Sequence, residues 1–216
     1  MMKITIREPG SAITHLIGMI LAAAATTPLL IKSALAGGST LMALSIFCLS
    51  MVLLYGASTV YHSVNLKGSA LKIFKKIDHM MIFVLIAGSY TPICLIVLGG
   101  RAGYTLLTVV WGIALIGMLL KACWVTCPKW FSSIIYISMG WVCAAVFGKL
   151  WDTLTPAAFG WLLAGGIIYT VGGIIYAIKP RFFDEKHPSF GLHEIFHLFV
   201  MGGSICHFIF MFLYVA

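Results

Sequence analysis

Long apolar runs dominate this chain, and short polar links separate them. Seven runs of roughly 18–24 residues are each long enough to cross a hydrocarbon core about 30 Å thick. Strands of a membrane barrel would instead alternate apolar and polar residues over about ten positions. The pattern therefore predicts an all-α fold with seven transmembrane helices. The predicted spans are Ala12–Ile31, Thr40–His62, Asp78–Leu98, Gly103–Lys121, Trp130–Gly148, Ala157–Ile178 and Gly191–Tyr214.

The composition supports a membrane protein without a soluble domain. Apolar residues make up 61% of the chain and charged residues 9%, whereas soluble domains contain about 45–50% and about 25%. A water-soluble fold of 216 residues has no room to bury that much apolar surface. No polar stretch is long enough to form a second unit, so we expect one transmembrane domain over residues 1–216.

The basic residues predict the orientation of the helices. The formal net charge of +8 would suit nucleic acid, but these residues lie between apolar runs, so we expect no nucleic acid partner. Eleven fall in the N-terminal segment and the links after spans two, four and six, against three in the other links. The positive-inside rule then predicts a cytoplasmic N-terminus and an outside C-terminus. The two sets are Lys3, Arg7, Lys67, Lys72, Lys75, Lys76, Lys121, Lys129, Lys179, Arg181 and Lys186, against Lys32, Arg101 and Lys149.

Ionisable side chains from three predicted helices fall at one depth. His62 ends span two, Asp78 opens span three, and His193 and His197 lie in the first two turns of span seven. This topology brings all four residues to the cytoplasmic side. His193 and His197 share a helix face because they are four residues apart. With His62 they form the ligand set of a zinc site that keeps its fourth position open. The alternative is that the histidines form hydrogen bonds between helices.

Two further residues are candidates for catalysis. Asp78 is a candidate general base beside a zinc-bound water; the alternative is an exposed acid at a helix N-terminus, where the dipole favours it. Ser58 lies four residues before His62, so the two side chains share a helix face. The Ser58 hydroxyl is therefore a candidate to orient water or to donate a hydrogen bond to an oxyanion. Its alternative is hydrogen bonding between helices.

The remaining ionisable residues have less certain roles. Glu194 lies within a His-Glu-x-x-His sequence typical of zinc proteases, but here that sequence opens a transmembrane span, so we expect Glu194 to face water at a helix N-terminus. His15 has the correct depth for a supporting partner. His79 is expected to point away, about 100° from the preceding residue. His207 lies about 15 Å deeper than His197, too far to bind the same ion.

Five motifs, in this order and spacing, resemble the hemolysin III family, the bacterial branch of the progestin and adiponectin receptor (PAQR) superfamily. The resemblance covers essentially the whole chain. The motifs are Ser-Thr-Val-Tyr-His at 58–62, Asp-His at 78–79, Ala-Gly-Ser-Tyr-Thr-Pro at 87–92, His-Glu-Ile-Phe-His at 193–197 and Gly-Gly-Ser-Ile-Cys-His-Phe at 202–208.

The resemblance implies a seven-helix barrel in the bacterial cytoplasmic membrane, with zinc held by the three histidines. It also implies a site related to the alkaline ceramidases, which are lipid amide hydrolases. Three functions follow: a zinc-dependent hydrolase of a membrane lipid amide or ester, a non-enzymatic sensor or regulator of membrane state with structural zinc, or a pore. The sequence shows no polar stripe along any span, which disfavours the pore.

Overall fold

A computed structural model describes residues 6–178 and 190–216, and every regular element in these ranges is helical. Seven helical segments are long and apolar enough to cross a membrane, the fifth being formed by α5 and α6 together. This confirms the predicted all-α, seven-span fold. The helices are α1 (Pro9–Ala36), α2 (Gly38–Ser63), α3 (Gly68–Pro92), α4 (Gly100–Cys123), α5 (Lys129–Gly140), α6 (Phe147–Thr153), α7 (Pro156–Ile178) and α8 (Leu192–Phe210).

The helices pack into a ring, in which α5 contacts both α3 and α4. Neighbours in sequence from α1 to α4 pack side by side, α5 packs on α7, α7 packs on α8, and α8 returns to α1. Large apolar side chains cover the outside, including Ile116 at 70% and Leu119 at 67% exposure, as expected where lipid is the solvent. The orientation of the termini stays a prediction, and four of the basic residues that support it lie outside the described residues: Lys3, Lys179, Arg181 and Lys186.

Helix α3 begins ten residues earlier than the predicted span. It starts at Gly68, whose φ of 62° suits glycine, and its first turns carry lysines that an apolar run does not include. Asp78 therefore lies in the third turn and is buried. The alternative interpretation of Asp78 as an exposed residue at a helix N-terminus is wrong.

The fifth span is interrupted where the sequence predicts one continuous run. The Tyr90 hydroxyl donates a hydrogen bond to the Gly140 carbonyl (2.6 Å) and accepts one from the Cys143 amide (2.9 Å). A side chain inserted into the backbone ladder breaks a helix. A short 3₁₀ turn, Val142–Val146, consequently separates α5 from α6.

Close packing between α2 and α3 depends on a glycine. A Cβ atom added at Gly88 would lie 2.6 Å from the Cβ of Ser50 and closer still to its hydroxyl. We expect Gly88→Ala to lower stability by about 1–3 kcal/mol, because overpacking forces both helices to shift. Thermal unfolding in detergent measures this as a lower Tm. Gly112→Ala is the control, since an added Cβ there meets nothing within 4 Å; equal losses of Tm in both variants would contradict the packing argument.

A buried lysine at the end of α4 has polar partners near the α4–α5 link. Lys121 is 1% exposed, and its Nζ donates to Ser132 Oγ (2.6 Å) and to Cys127 Sγ (3.0 Å). Burial raises the pKa of the Cys127 thiol, but the hydrogen bonds from Ser132 and Lys121 and the lysine charge outweigh it, so this pKa is lowered. The cluster explains how a lysine is buried at this position.

Candidate metal site

Three histidines from two helices meet at one end of the ring. His62 lies in the last turn of α2, and His193 and His197 lie in the first two turns of α8. One nitrogen atom of each ring lies within 4.8 Å of the other two, and the Nε2 atoms of His62 and His193 are 3.3 Å apart. The imidazoles of His62 and His197 are 2% exposed. This group could hold one metal ion.

The separation of the nitrogen atoms fits zinc. Zinc binds histidine at about 2.0–2.1 Å in tetrahedral sites, which places two ligand nitrogens about 3.3–3.4 Å apart. The Nε2 atoms of His62 and His193 lie at this separation. Imidazole nitrogen is also a preferred zinc ligand. The donor set and the spacing of this pair are therefore compatible with a zinc ion.

Helix α1 and the residue before it orient two of these rings. The Glu8 carboxylate accepts a hydrogen bond from His62 Nδ1. Thr14 Oγ lies 3.0 Å from His197 Nδ1 and 2.9 Å from the Ser11 carbonyl. Because the threonine proton goes to the carbonyl, Thr14 accepts the N–H of His197. Both rings then have their Nε2 lone pairs available to a metal, the arrangement that supporting residues impose at zinc sites.

Glu8 is ionised at neutral pH. Its hydrogen bond with His62 holds the pKa of the carboxyl below the ordinary value, although partial burial opposes this. An anionic acceptor raises the basicity of the imidazole it bonds, which favours metal binding. Sequence reasoning missed both Glu8 and Thr14. The available signal was only that polar residues lie just before α1 and in its first turns, at the same end as His62.

The contact of Thr14 with His197 predicts a measurable effect on metal affinity. Thr14→Val keeps the shape of the side chain but removes the acceptor, so we expect zinc affinity to fall about 10–100-fold. Competition with a zinc chelator measures the change. Thr26→Val is the control, because that hydroxyl donates to Ala22 of its own helix. Equal affinities in the two variants would show that Thr14 does not support the site.

Asp78 and Ser58 lie beside the histidines. Both are buried, at 9% and 1% exposure, and both line a cavity that His193 also lines. His79 Nδ1 lies 2.9 Å from the Lys75 carbonyl and 3.3 Å from Asp78 Oδ2. The ring N–H donates to the Lys75 carbonyl, and the same nitrogen lies in ion-pair contact with the Asp78 carboxylate. The expectation that His79 points away from Asp78 is wrong.

Two other residues contact the cluster without joining it. His15 stacks on His197 with ring centroids 3.5 Å apart, and neither of its nitrogens bonds to a described residue. Glu194 accepts hydrogen bonds from the Gly191 amide (2.8 Å) and from the Ser11 hydroxyl. It lies at the helix N-terminus as predicted, where it is partly buried and hydrogen-bonded to α1.

The cavity beside the histidines runs along the inside of the ring. It extends from His193 and His197 to His207, about 15 Å further along α8. Between these ends its lining is mostly apolar or aromatic, and includes Leu54, Ile82, Leu85, Ile86, Ile93, Phe147, Phe159, Leu162, Leu163 and Val200. The histidine cluster and Asp78 therefore lie at one end of a largely apolar cavity.

The chain is similar to one family model and to several known proteins. A family model described as Haemolysin-III related matches residues 4–208. Hemolysin-3 of Bacillus cereus is 41% identical over 209 residues, which cover 96% of this chain and 91% of that protein. The Hemolysin-3 homolog of Bacillus subtilis (strain 168) is 40% identical over 206 residues, 94% of this chain and 92% of that protein. The progestin and adipoQ receptor-like protein 1 of Caenorhabditis elegans is 28% identical over 189 residues, 76% of this chain and 41% of that protein.

Proposed function

The chain belongs to the hemolysin III family of multi-pass membrane proteins, and we propose that it binds zinc and hydrolyses an amide or ester bond of a membrane lipid. The observation that carries the proposal is the group of three histidines beside Asp78 at the end of an apolar cavity. Buried ionisable groups are expensive in a membrane and usually serve a function.

His62, His193 and His197 would hold the zinc ion. When bound, zinc supplies a Lewis acid that polarises a carbonyl group and lowers the pKa of water. Three histidine ligands leave one position of a tetrahedral ion for water or substrate, as in catalytic sites. The buried imidazoles are already oriented by Glu8 and Thr14, so little rearrangement accompanies binding.

Asp78 would move the proton in hydrolysis. Its carboxylate takes a proton from the attacking water, whose oxygen bonds to the carbonyl carbon of the lipid. It then delivers that proton to the leaving amine or alcohol as the carbon–nitrogen or carbon–oxygen bond breaks. His79 contacts one carboxylate oxygen. The Ser58 hydroxyl would donate a hydrogen bond to the oxygen of the reacting carbonyl.

The apolar cavity would bind the acyl chain and exclude bulk water from the site. A lipid entering from the inner leaflet would bring its carbonyl to the histidines if the N-terminus is cytoplasmic, as the basic residues predict. We therefore propose the cytoplasmic membrane of a bacterium as the location.

A panel of lipids tests the hydrolase. The purified protein is incubated in detergent with ceramides, phospholipids and other acyl lipids, and released fatty acid is measured. We expect release from at least one class, its loss after treatment with a zinc chelator, and its return when zinc is added. Absence of metal-dependent release across the panel would contradict the proposal.

A structural role for zinc in a sensor of membrane state is the second candidate. It is favoured by the hydrogen bonds that tie α1 and its preceding residue to the cluster: Glu8 to His62, Thr14 to His197 and Ser11 to Glu194. A metal at this junction would stabilise the packing of α1, α2 and α8. This candidate predicts that removal of zinc lowers Tm in a protein that hydrolyses no lipid.

A further inference from the structure

A buried lysine, a cysteine and a serine form a polar cluster away from the histidines. Lys121 Nζ donates to Cys127 Sγ (3.0 Å) and to Ser132 Oγ (2.6 Å), and these two acceptor atoms lie 3.3 Å apart. None of the three residues belongs to the histidine group or lines its cavity. The proposed hydrolysis of a lipid therefore uses none of them.

Lys121 requires a negative charge beside it. Its side chain is 1% exposed, and burial of an ammonium group is costly unless an anion compensates for it. Within the residues that the structure describes, no carboxylate forms an ion pair with this lysine. Of the two groups that accept hydrogen bonds from Nζ, the Cys127 thiol is the one that ionises near neutral pH. A thiolate at Cys127 would supply the missing charge.

The ends of two helices favour the same distribution of charge. Lys121 lies in the last turn of α4, and Cys127 lies two residues before Lys129, the first residue of α5. The C-terminus of a helix stabilises a cation and the N-terminus an anion. Burial raises the pKa of the Cys127 thiol, but the hydrogen bonds from Ser132 and Lys121 and the lysine charge outweigh burial, so this pKa is lowered.

Two phenol groups are the other titratable neighbours of this thiol among the described residues. They are Tyr136 of α5, whose ring lies 5.7 Å from Lys121 Nζ, and Tyr176 of α7. Phenol groups are neutral at neutral pH. Neither tyrosine therefore competes with the thiolate as the anion that compensates the lysine.

Cys127 lies in the link between the fourth and fifth spans. It keeps 7% of its surface accessible, and its neighbours Thr126 and Pro128 are exposed. Only a small reagent fits such an opening. The basic residues predict that this link is cytoplasmic, where thiols are kept reduced. A thiolate here is therefore available to a small oxidant.

We propose that Cys127 is a redox modification site, at which hydrogen peroxide oxidises a thiolate paired with Lys121 to a sulfenic acid. The thiolate is the nucleophile. Its sulfur attacks one peroxide oxygen, and an S–O bond forms as the O–O bond breaks. Sulfur gives up an electron pair, which reduces the peroxide, and the hydroxide that leaves takes a proton from solvent to become water. This step requires neither zinc nor a lipid.

The pH dependence of alkylation tests the thiolate in the protein in detergent. Iodoacetamide is added at about pH 6.5 and about pH 8.5, and the modified peptides are quantified by mass spectrometry. A thiol with the ordinary pKa of about 8.5 reacts about 50-fold more slowly at the lower pH, because its thiolate fraction falls. A thiol beside a lysine charge loses about tenfold or less, and we expect this of Cys127. A loss of about 50-fold, or no alkylation of Cys127 while the exposed Cys123 reacts, would overturn the proposal.

Variants of Lys121 identify the source of the effect. Lys121→Gln removes the charge and keeps a hydrogen-bond donor, so alkylation of Cys127 should fall about 50-fold or more between the two pH values. Lys121→Met repeats the test if the glutamine variant does not fold. Lys129→Gln removes the charge of an exposed lysine two residues from the thiol and is the control, expected to keep the wild-type ratio. An unchanged ratio in a folded Lys121 variant would contradict the pairing.

Treatment with hydrogen peroxide tests the oxidation itself. Dimedone, which reacts with sulfenic acids, is added after the peroxide, and the labelled peptides are quantified. At neutral pH we expect about tenfold more label on Cys127 in the wild type than in Lys121→Gln, and no such difference at Cys123. Cys127 without label in the wild type, or with equal label in the two proteins, would show that it is not the proposed site. Neither result affects the proposed hydrolase, since that reaction uses none of these residues.

Discussion

His197→Ala is expected to lose the bound zinc. His197 is 2% exposed and one of its ring nitrogens lies within 4.8 Å of a nitrogen of each of the other two histidines, so its removal leaves two protein ligands. Loss of a supporting residue alone costs about 10–100-fold in affinity, and loss of a ligand should exceed about 100-fold. Metal analysis of the purified proteins measures this: we expect near-stoichiometric zinc in the wild type and little in the variant.

The control for this prediction is the adjacent residue. Leu198→Ala changes an exposed apolar side chain on the same turn of α8 and should leave the zinc content unchanged. The competing interpretation is that the histidines only bond to one another, since His62 and His193 lie within hydrogen-bonding distance. A wild-type protein that contains no zinc, and does not bind it when it is added, would favour that interpretation and contradict ours.

The spans could be predicted from the sequence because a membrane imposes a simple rule on length and polarity. The predicted helix boundaries are wrong where polar residues or tertiary contacts determine where a helix begins or breaks. The lysine-rich start of α3 has no apolar run, so the helix was predicted to begin at Asp78 rather than Gly68. The break between α5 and α6 depends on Tyr90, which lies in α3, far from the break in sequence. No local sequence pattern indicates a contact between residues so far apart in the chain.

The grouping of the histidines could also be predicted, because the four-residue spacing on α8 and the alternating direction of the spans determine depth. The partners Glu8 and Thr14 could not, since they depend on how α1 rotates and leans against α2 and α8. Sequence shows that two residues lie at one depth, but the packing of side chains decides whether they touch. The same holds for His79. The angle between consecutive residues of a helix predicted that it points away from Asp78, but its ring contacts that carboxylate.

Asp78→Asn is expected to separate catalysis from metal binding. Asparagine has nearly the same shape as aspartate, but its amide does not take a proton from water at neutral pH. A general base contributes about 10²–10⁴-fold to the rate, so we expect a loss of this size in lipid hydrolysis. Asp78 is not part of the three-histidine group that could hold the ion, so zinc content should stay near the wild-type value.

Comparison of Asp78→Asn with the wild type and with a control variant distinguishes a catalytic from a structural role for the ion. Asp152→Asn changes an exposed carboxylate in α6 and is the control, expected to hydrolyse lipid at the wild-type rate. If Asp78→Asn also retains the full rate, the carboxylate does not act as the base. If Asp78→Asn and wild type are equally inactive on every lipid while zinc removal lowers Tm, the structural role is favoured. Because Asp78 lines the same cavity as His193 and His197, only a variant that keeps all three histidines can distinguish an ion that takes part in hydrolysis from one that holds helices together.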